Sequence, residues 1–181
     1  QLYFDFSGYT DMALGVARLF GIDLPVNFNN PYCAFHIAQF WERWHISLSN
    51  WFRLYIFSPL SRWLIRAFGP HGKGWAHLLA TLATMILIGL WHGTAWTFLL
   101  WGAYHGLLLV LNARINHPGL TRIPVGWQRV GLIFTVLLGW AVFMSPDLPA
   151  LGHLLGQMFP GGGPGSPADI FALLQQPAMP V

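Results

Sequence analysis

The sequence predicts an all-α, polytopic membrane protein in which amphipathic or re-entrant helices accompany the spanning ones. Three observations carry that expectation. Of the 181 residues, 55% are hydrophobic and 8% charged, against roughly 25% charged in an ordinary soluble domain. The whole stretch from Trp75 to Leu111 holds no Lys, Arg, Asp or Glu, and at about 1.5 Å per helical residue it is long enough to cross a bilayer and return. Eight of the nine basic residues fall in two regions, 43–73 and 112–129. A surface so poor in charge cannot face water on every side, so its solvent is lipid.

The remaining composition narrows the class. Cys33 is the single cysteine, so there is no internal disulfide. The formal charge of +3 is a topology signal, because the basic residues sit at helix ends and form no stripe for nucleic acid. Gln1 stands directly before an aromatic run, without a Met or a basic leader, so the chain is expected to be the C-terminal part of something longer.

Residues 1–21 mix aromatics with Asp5 and Asp11. About three turns of helix are expected from Asp11 to Phe20, with Asp11 as a partial N-cap. Either carboxylate lies at an interface, or one faces a polar cavity, since a carboxylate facing lipid is costly. Residues 22–31 form a break, because Pro25 and Pro31 bracket three asparagines. From Tyr32 to about Asn50 the apolar positions follow a helical period, with Gln39, Glu42, Arg43 and Ser47 on the other side. This predicts a tryptophan-rich amphipathic helix at the headgroup boundary or in a re-entrant position. Pro59 kinks or breaks the continuation, Trp51 to Phe68, and 69–74 is a loop.

Three spans are expected at 75–91, 94–111 and about 127–145. Residues 147–159 read as a short amphipathic helix, 160–167 as a Gly/Pro spacer and the rest as a tail, so the chain divides at about 145. The two basic regions are separated by two spans and therefore share a side. Arg18, the ninth basic residue, falls on that side too. The positive-inside rule makes it cytoplasmic and turns Trp91-His92-Gly93 toward the far face.

Eight histidines in so apolar a chain admit three explanations. Zinc lacks a CxxC, an HExxH or any close His/Cys cluster, so no metal is expected. Haem would need partners for His92 and His105 at matching depth, and none is present. General-base chemistry suits an imidazole kept neutral by apolar surroundings. His92 adjoins Gly93, which permits close approach by substrate, and Trp91 and Trp96 can wall a dry pocket. The same residues also suit a hydrogen-bonded interface histidine. His45 is the second candidate: on one helix it would stack on Trp41 at i and i+4, with Ser49 a turn on and Arg43 to the side. By the topology above, His45 lies near the cytoplasmic face and His92 near the opposite one. His105 reads as structural, hydrogen-bonded between helices.

Several blocks then resemble a known family. FDFSGYTDMALGVARLFGI, NFNNPY, FWERWHISLSNWFRLYIFSPL and GLWHGTAWTFLLWGAYHG occur in this order and are similar to the membrane-bound O-acyltransferases. The likeness covers residues 3–145 and is greatest to the branch that O-acetylates bacterial polysaccharides such as alginate, with the teichoic acid D-alanyl transfer proteins as relatives. The resemblance implies a polytopic helical fold around a central funnel, of which residues 1–145 would be the C-terminal catalytic portion. It makes His92 the base and His45 the second catalytic histidine, and it matches Asp5 and Asp11 to a family block.

Substrate or cavity candidates are therefore Asp5, Asp11, Trp41, Arg43, Trp91 and Trp96. No bound cofactor is implied. The acyl donor would be a co-substrate such as acetyl-CoA or an acyl-carrier thioester. The implied partners are the lipid bilayer, a polysaccharide acceptor and periplasmic or membrane acyl-transfer proteins, at a bacterial inner membrane. A non-catalytic channel or transporter subunit is the alternative from another class. Three departures from the family pattern bear on substrate: Leu54 replaces an acidic residue, Ser61-Arg62-Trp63 replaces a glycine-rich turn, and Met144 stands where an arginine is usual.

Overall fold

The computed structural model describes residues 1–114 and 123–158, and every described element is helical. In order these are α1 (Leu2–Leu19), a 3-10 turn (Pro31–Cys33), α2 (Ile37–Trp41), α3 (Ile46–Phe52), a π turn (Arg53–Phe57), α4 (Ser58–Phe68), a second 3-10 turn (Pro70–Gly72), α5 (Lys73–His92), α6 (Trp96–Arg114), α7 (Val125–Met144) and α8 (Leu148–Met158). Three helices are long and apolar enough to cross a membrane, Pro70–His92, Trp96–Arg114 and Val125–Met144. They match the expected spans to within a few residues. Arg122, His117 and the 160–167 spacer lie outside the described residues.

The charge-free run folds as the α5–α6 hairpin, the most extensive helix pair. Without water to drive apolar surfaces together, such helices associate through close backbone packing at small residues. Gly89 lies against the Phe98 carbonyl, and Gly102 against the backbone of Met85 and Ile86, at positions where a Cβ would collide. Helix α7 packs on the open side of α6, and α4 on α5.

Two expectations about helix limits are corrected. Helix α1 begins at Leu2, so Asp11 lies inside it and is not a cap. The reason is tertiary: Tyr3 and Phe6 pack on Phe28, and Tyr3 also meets Tyr32 and Trp44, which holds the first turns in place. The single amphipathic helix expected from Tyr32 to Asn50 is instead two short helices interrupted at 42–45. After the break the chain is helical from Ile46 to Phe68. The π turn lies just before Pro59 and is closed by the Ser58 hydroxyl, which donates to the Arg53 carbonyl at 2.7 Å. Pro59 occupies the first turn of α4, where its missing N–H is tolerated.

The tryptophan-rich segment packs inward on the spanning helices. Phe40, Trp41 and Trp44 are buried, with Trp41 against Trp101 of α6 and Trp44 against Trp140 of α7.

Candidate active site

The break before α3 shapes the site. His45 adopts the left-handed conformation, φ 44° and ψ 56°, which costs a non-glycine residue roughly 1–2 kcal/mol. The loop that carries Asn27 holds it there. The Asn29 amide donates to the Arg43 carbonyl and the Ile46 amide to the Asn27 carbonyl, both at 3.0 Å. The Asn27 side-chain oxygen accepts from the Ser47 hydroxyl at 2.7 Å and from the Ser47 amide at 3.2 Å, and lies 3.3 Å from His45 Nδ1. Phe6 of α1 meets the imidazole edge to face at 4.8 Å. Burial lowers the His45 pKa from 6.5 to about 4, and the charge of nearby His92 acts in the same direction.

The hollow bounded by both His45 and Trp91 corrects the expected separation of the two histidine-bearing segments across the membrane. His45 lies beside the end of α5 that carries His92. The error came from reading residues 32–50 as a surface helix, when the segment turns inward and delivers His45 to the end of α5. The expected Trp41–His45 face does not form, because the helix breaks between them.

His92 is the last residue of α5 and is walled by aromatic rings. Trp91, Phe143 and Trp101 approach it at 4.8, 5.0 and 5.5 Å, and Phe98 at 6.2 Å. Trp96 is not part of this wall; it is 70% exposed. A Cβ at Gly93 would meet the Phe98 ring, so the glycine lets that ring pack close to the end of α5.

Two hollows meet at Trp91. One, of about 340 Å³, is bounded by Phe6, Tyr9 and Thr10 of α1, by Asn27, and by His45 and Trp91. The other, of about 330 Å³, is apolar and lined by Leu48, Trp51, Phe52, Ile56, Leu87 and Trp91. The chemistry available here is the His45 imidazole beside a hollow large enough for a small group, with the ring-walled His92 at the adjoining end of α5.

The other candidates divide. Asp5 and Asp11 are exposed on α1 and line neither hollow. Arg43 is half-buried, and its backbone carbonyl serves the loop stitch. Trp41 is buried against Trp101 and His105. His105 is fully buried, but the expected hydrogen bond is absent: among the described residues neither ring nitrogen has a partner, nor do the indole nitrogens of Trp41 and Trp101. Trp41, Trp101 and Tyr104 meet the His105 ring edge to face. No three His, Cys, Asp or Glu side chains gather at one point among the described residues. Sequence reasoning missed Asn27, Phe98, Trp101 and Phe143. Only Asn27 carried a local signal, an asparagine-rich loop bracketed by prolines.

Comparison with known proteins adds a second line. The model of the membrane-bound O-acyltransferase family matches residues 1–149. The chain is 42% identical over 166 residues to a probable alginate O-acetylase of Pseudomonas fluorescens, covering 90% of this chain and 31% of that protein. It is 43% identical over 117 residues to a peptidoglycan O-acetyltransferase of Helicobacter pylori, covering 65% and 21%. It is 40% identical over 159 residues to a teichoic acid D-alanyltransferase of Streptococcus thermophilus, covering 79% and 38%. The matches span between 21% and 38% of the length of these curated relatives.

Proposed function

The chain belongs to the membrane-bound O-acyltransferase family, and on that premise we propose that it is the histidine-bearing part of an enzyme that moves a short acyl group, acetyl in the first instance, onto a hydroxyl of a cell-envelope or exocellular polysaccharide. The observation that carries the reading is that His45 shares a hollow with Trp91, the residue next to His92 at the end of α5. His92 acts as the base. As the acceptor oxygen attacks the donor's carbonyl carbon, His92 takes the hydroxyl proton and a C–O bond forms. The C–S bond of the thioester then breaks, the sulfur leaves with the electron pair, and His92 returns the proton to it. The aromatic wall keeps water from competing for the acyl group. The donor is acetyl-CoA or an acyl-carrier thioester, with no resident cofactor.

In this reading residues 1–145 supply the catalytic portion, and 146–181 a terminal helix, spacer and tail. The protein works in a bacterial cytoplasmic membrane with membrane or periplasmic transfer partners. D-alanyl transfer to teichoic acid would use the same base and the same attack, and the likeness to the Streptococcus thermophilus protein keeps it as the second reading. A channel or transporter subunit would need a continuous polar path. The exposed positions of Asp5 and Asp11 and the rings around His92 weigh against one. The test is His92→Gln in the full-length protein, scored for membrane level and for acyl groups on the exported polymer. Normal acylation would overturn the proposal.

A further inference from the structure

One polar group at the site has no part in the reaction as described. Asn27 lies eighteen residues before His45 in a loop with no helix of its own, yet its side-chain oxygen has three neighbours: the Ser47 amide, the Ser47 hydroxyl and His45 Nδ1. Asparagine can present either oxygen or nitrogen, and the two ends of an amide are hard to distinguish by shape. Here a neighbour decides. The Ser47 backbone N–H can only donate, so the atom it faces must be the oxygen. That same oxygen faces His45 Nδ1, and two acceptors do not bond. A hydrogen bond at this contact therefore requires the proton on Nδ1.

We propose that Asn27 is a positioning residue that holds His45 as the Nδ1–H tautomer, so that its Nε2 presents a lone pair at the site shared with His92. The role rests on the acyl-transfer reading; the tautomer does not. Its consequence is electrostatic. When His92 takes the hydroxyl proton it becomes a cation, and a neighbour that accepts hydrogen bonds favours that cation, whereas one that donates opposes it. The left-handed backbone at His45 belongs to the same device, since the Asn27 carbonyl and side chain together fix residues 45–47.

The groups that face His45 are few. Tyr9, Thr10 and Phe6 come from α1, and Trp91 and His92 from the end of α5. Ser47 and Ser49 come from its own helix, with Arg43 in the preceding turn, while Asp5 and Asp11 are exposed on α1 and outside the hollow. Among the described residues no carboxylate lines the hollow at this imidazole, so introducing one has a defined effect. Asn27→Asp keeps an acceptor at Nδ1 and adds a negative charge that favours the imidazolium.

The experiment uses the full-length protein in lipid nanodiscs, labelled with 15N-histidine, the His45 signals being those lost in His45→Gln. The expected result is a protonated Nδ1 and an unprotonated Nε2 in the parent, with the pattern lost in Asn27→Leu. An Nε2–H tautomer in the parent overturns the proposal whether or not the protein transfers acyl groups. In activity, Asn27→Leu should lower kcat at least about tenfold at unchanged membrane level. Asn27→Asp should recover most of that rate at high pH while its acidic limb moves to higher pH. An Asn27→Asp profile identical to the parent's would overturn the role while leaving the base assignment of His92 intact. Should Asn27→Leu fail to accumulate, the parent spectrum and the Asn27→Asp profile still decide.

Discussion

Trp101 stands edge to face against His92, with ring centroids 5.5 Å apart at 87°, and its indole meets His105 at 5.0 Å. A single buried ring therefore separates the histidine at the end of α5 from one sealed in the bundle. The first sits where chemistry is possible. The second is enclosed by Trp41, Trp101 and Tyr104.

The sealed position makes His105 a packing residue with a cost, since each of its nitrogens is buried without a partner. Replacing such a group by an apolar one of similar volume is neutral or stabilising, by about 1 kcal/mol. His105→Leu should thus keep acylation and hold or raise the thermal stability of the purified protein. Gly139 of α7 tests the same contact from the other side. A Cβ there would stand 2.5 Å from His105 Nε2, so Gly139→Ala should destabilise by about 1–3 kcal/mol through overpacking. The double variant should recover much of that loss. Lost acylation in a stable His105→Leu would move His105 into the chemistry.

How much of this was legible in the sequence depended on whether a local pattern carried it. The α5–α6 hairpin was legible because charges mark both ends of a run that has none within. His92 was legible because the Trp91-His92-Gly93 turn interrupts that run. The break at His45 was not. Glu42-Arg43-Trp44-His45 contains no glycine or proline, and the apolar period runs on through it. What breaks the helix is Asn27 and Asn29, bonded from a loop far upstream, and no window of sequence holds both partners. The wall around His92 was hidden for a different reason. Helices α6 and α7 are apolar on every side, so periodicity could not show that Trp101 and Phe143 face inward.

The depressed His45 pKa carries a stability signature. The folded state holds this imidazole neutral down to about 4, whereas the unfolded chain takes up its proton near 6.5. Between those values the unfolded state binds more protons, so stability rises with pH. The contribution is fully present above about 6.5 and is lost as the pH falls through about 4. Thermal denaturation of the full-length protein in detergent, from pH 7 to pH 4, should fall less steeply for His45→Gln than for the parent. Parallel curves would mean that His45 is not held neutral by the fold.

The basic residues predict orientation as well as span. With the 112–129 loop on the cytoplasmic side, a cysteine at Ile123, an exposed position beside the start of α7, should react with an impermeant thiol reagent only when the cytoplasmic face is opened. Cys33 is itself free and exposed, so the experiment is run with Cys33→Ser as background. Labelling at position 123 in intact cells would invert the topology and carry the His45–His92 site to the other face.

The strongest prediction is for His92 itself. A hydroxyl is a poor nucleophile at its free pKa, so removing a positioned base should lower the rate about a hundred- to ten-thousand-fold, or about 3–5 kcal/mol. Glutamine keeps comparable size and hydrogen-bonding reach while removing the basic nitrogen, so His92→Gln should reach the membrane at normal levels and leave the polymer without acyl groups. Alanine is a poorer choice, because an emptied site among Trp91, Trp101 and Phe143 would disturb packing and mix two causes. His45 now belongs to the same site, so its loss should not multiply with that of His92. Groups that act as a unit are strongly non-additive, and the double variant His45→Gln/His92→Gln should be little worse than His92→Gln alone. A multiplicative loss would mean that the two histidines serve separate steps.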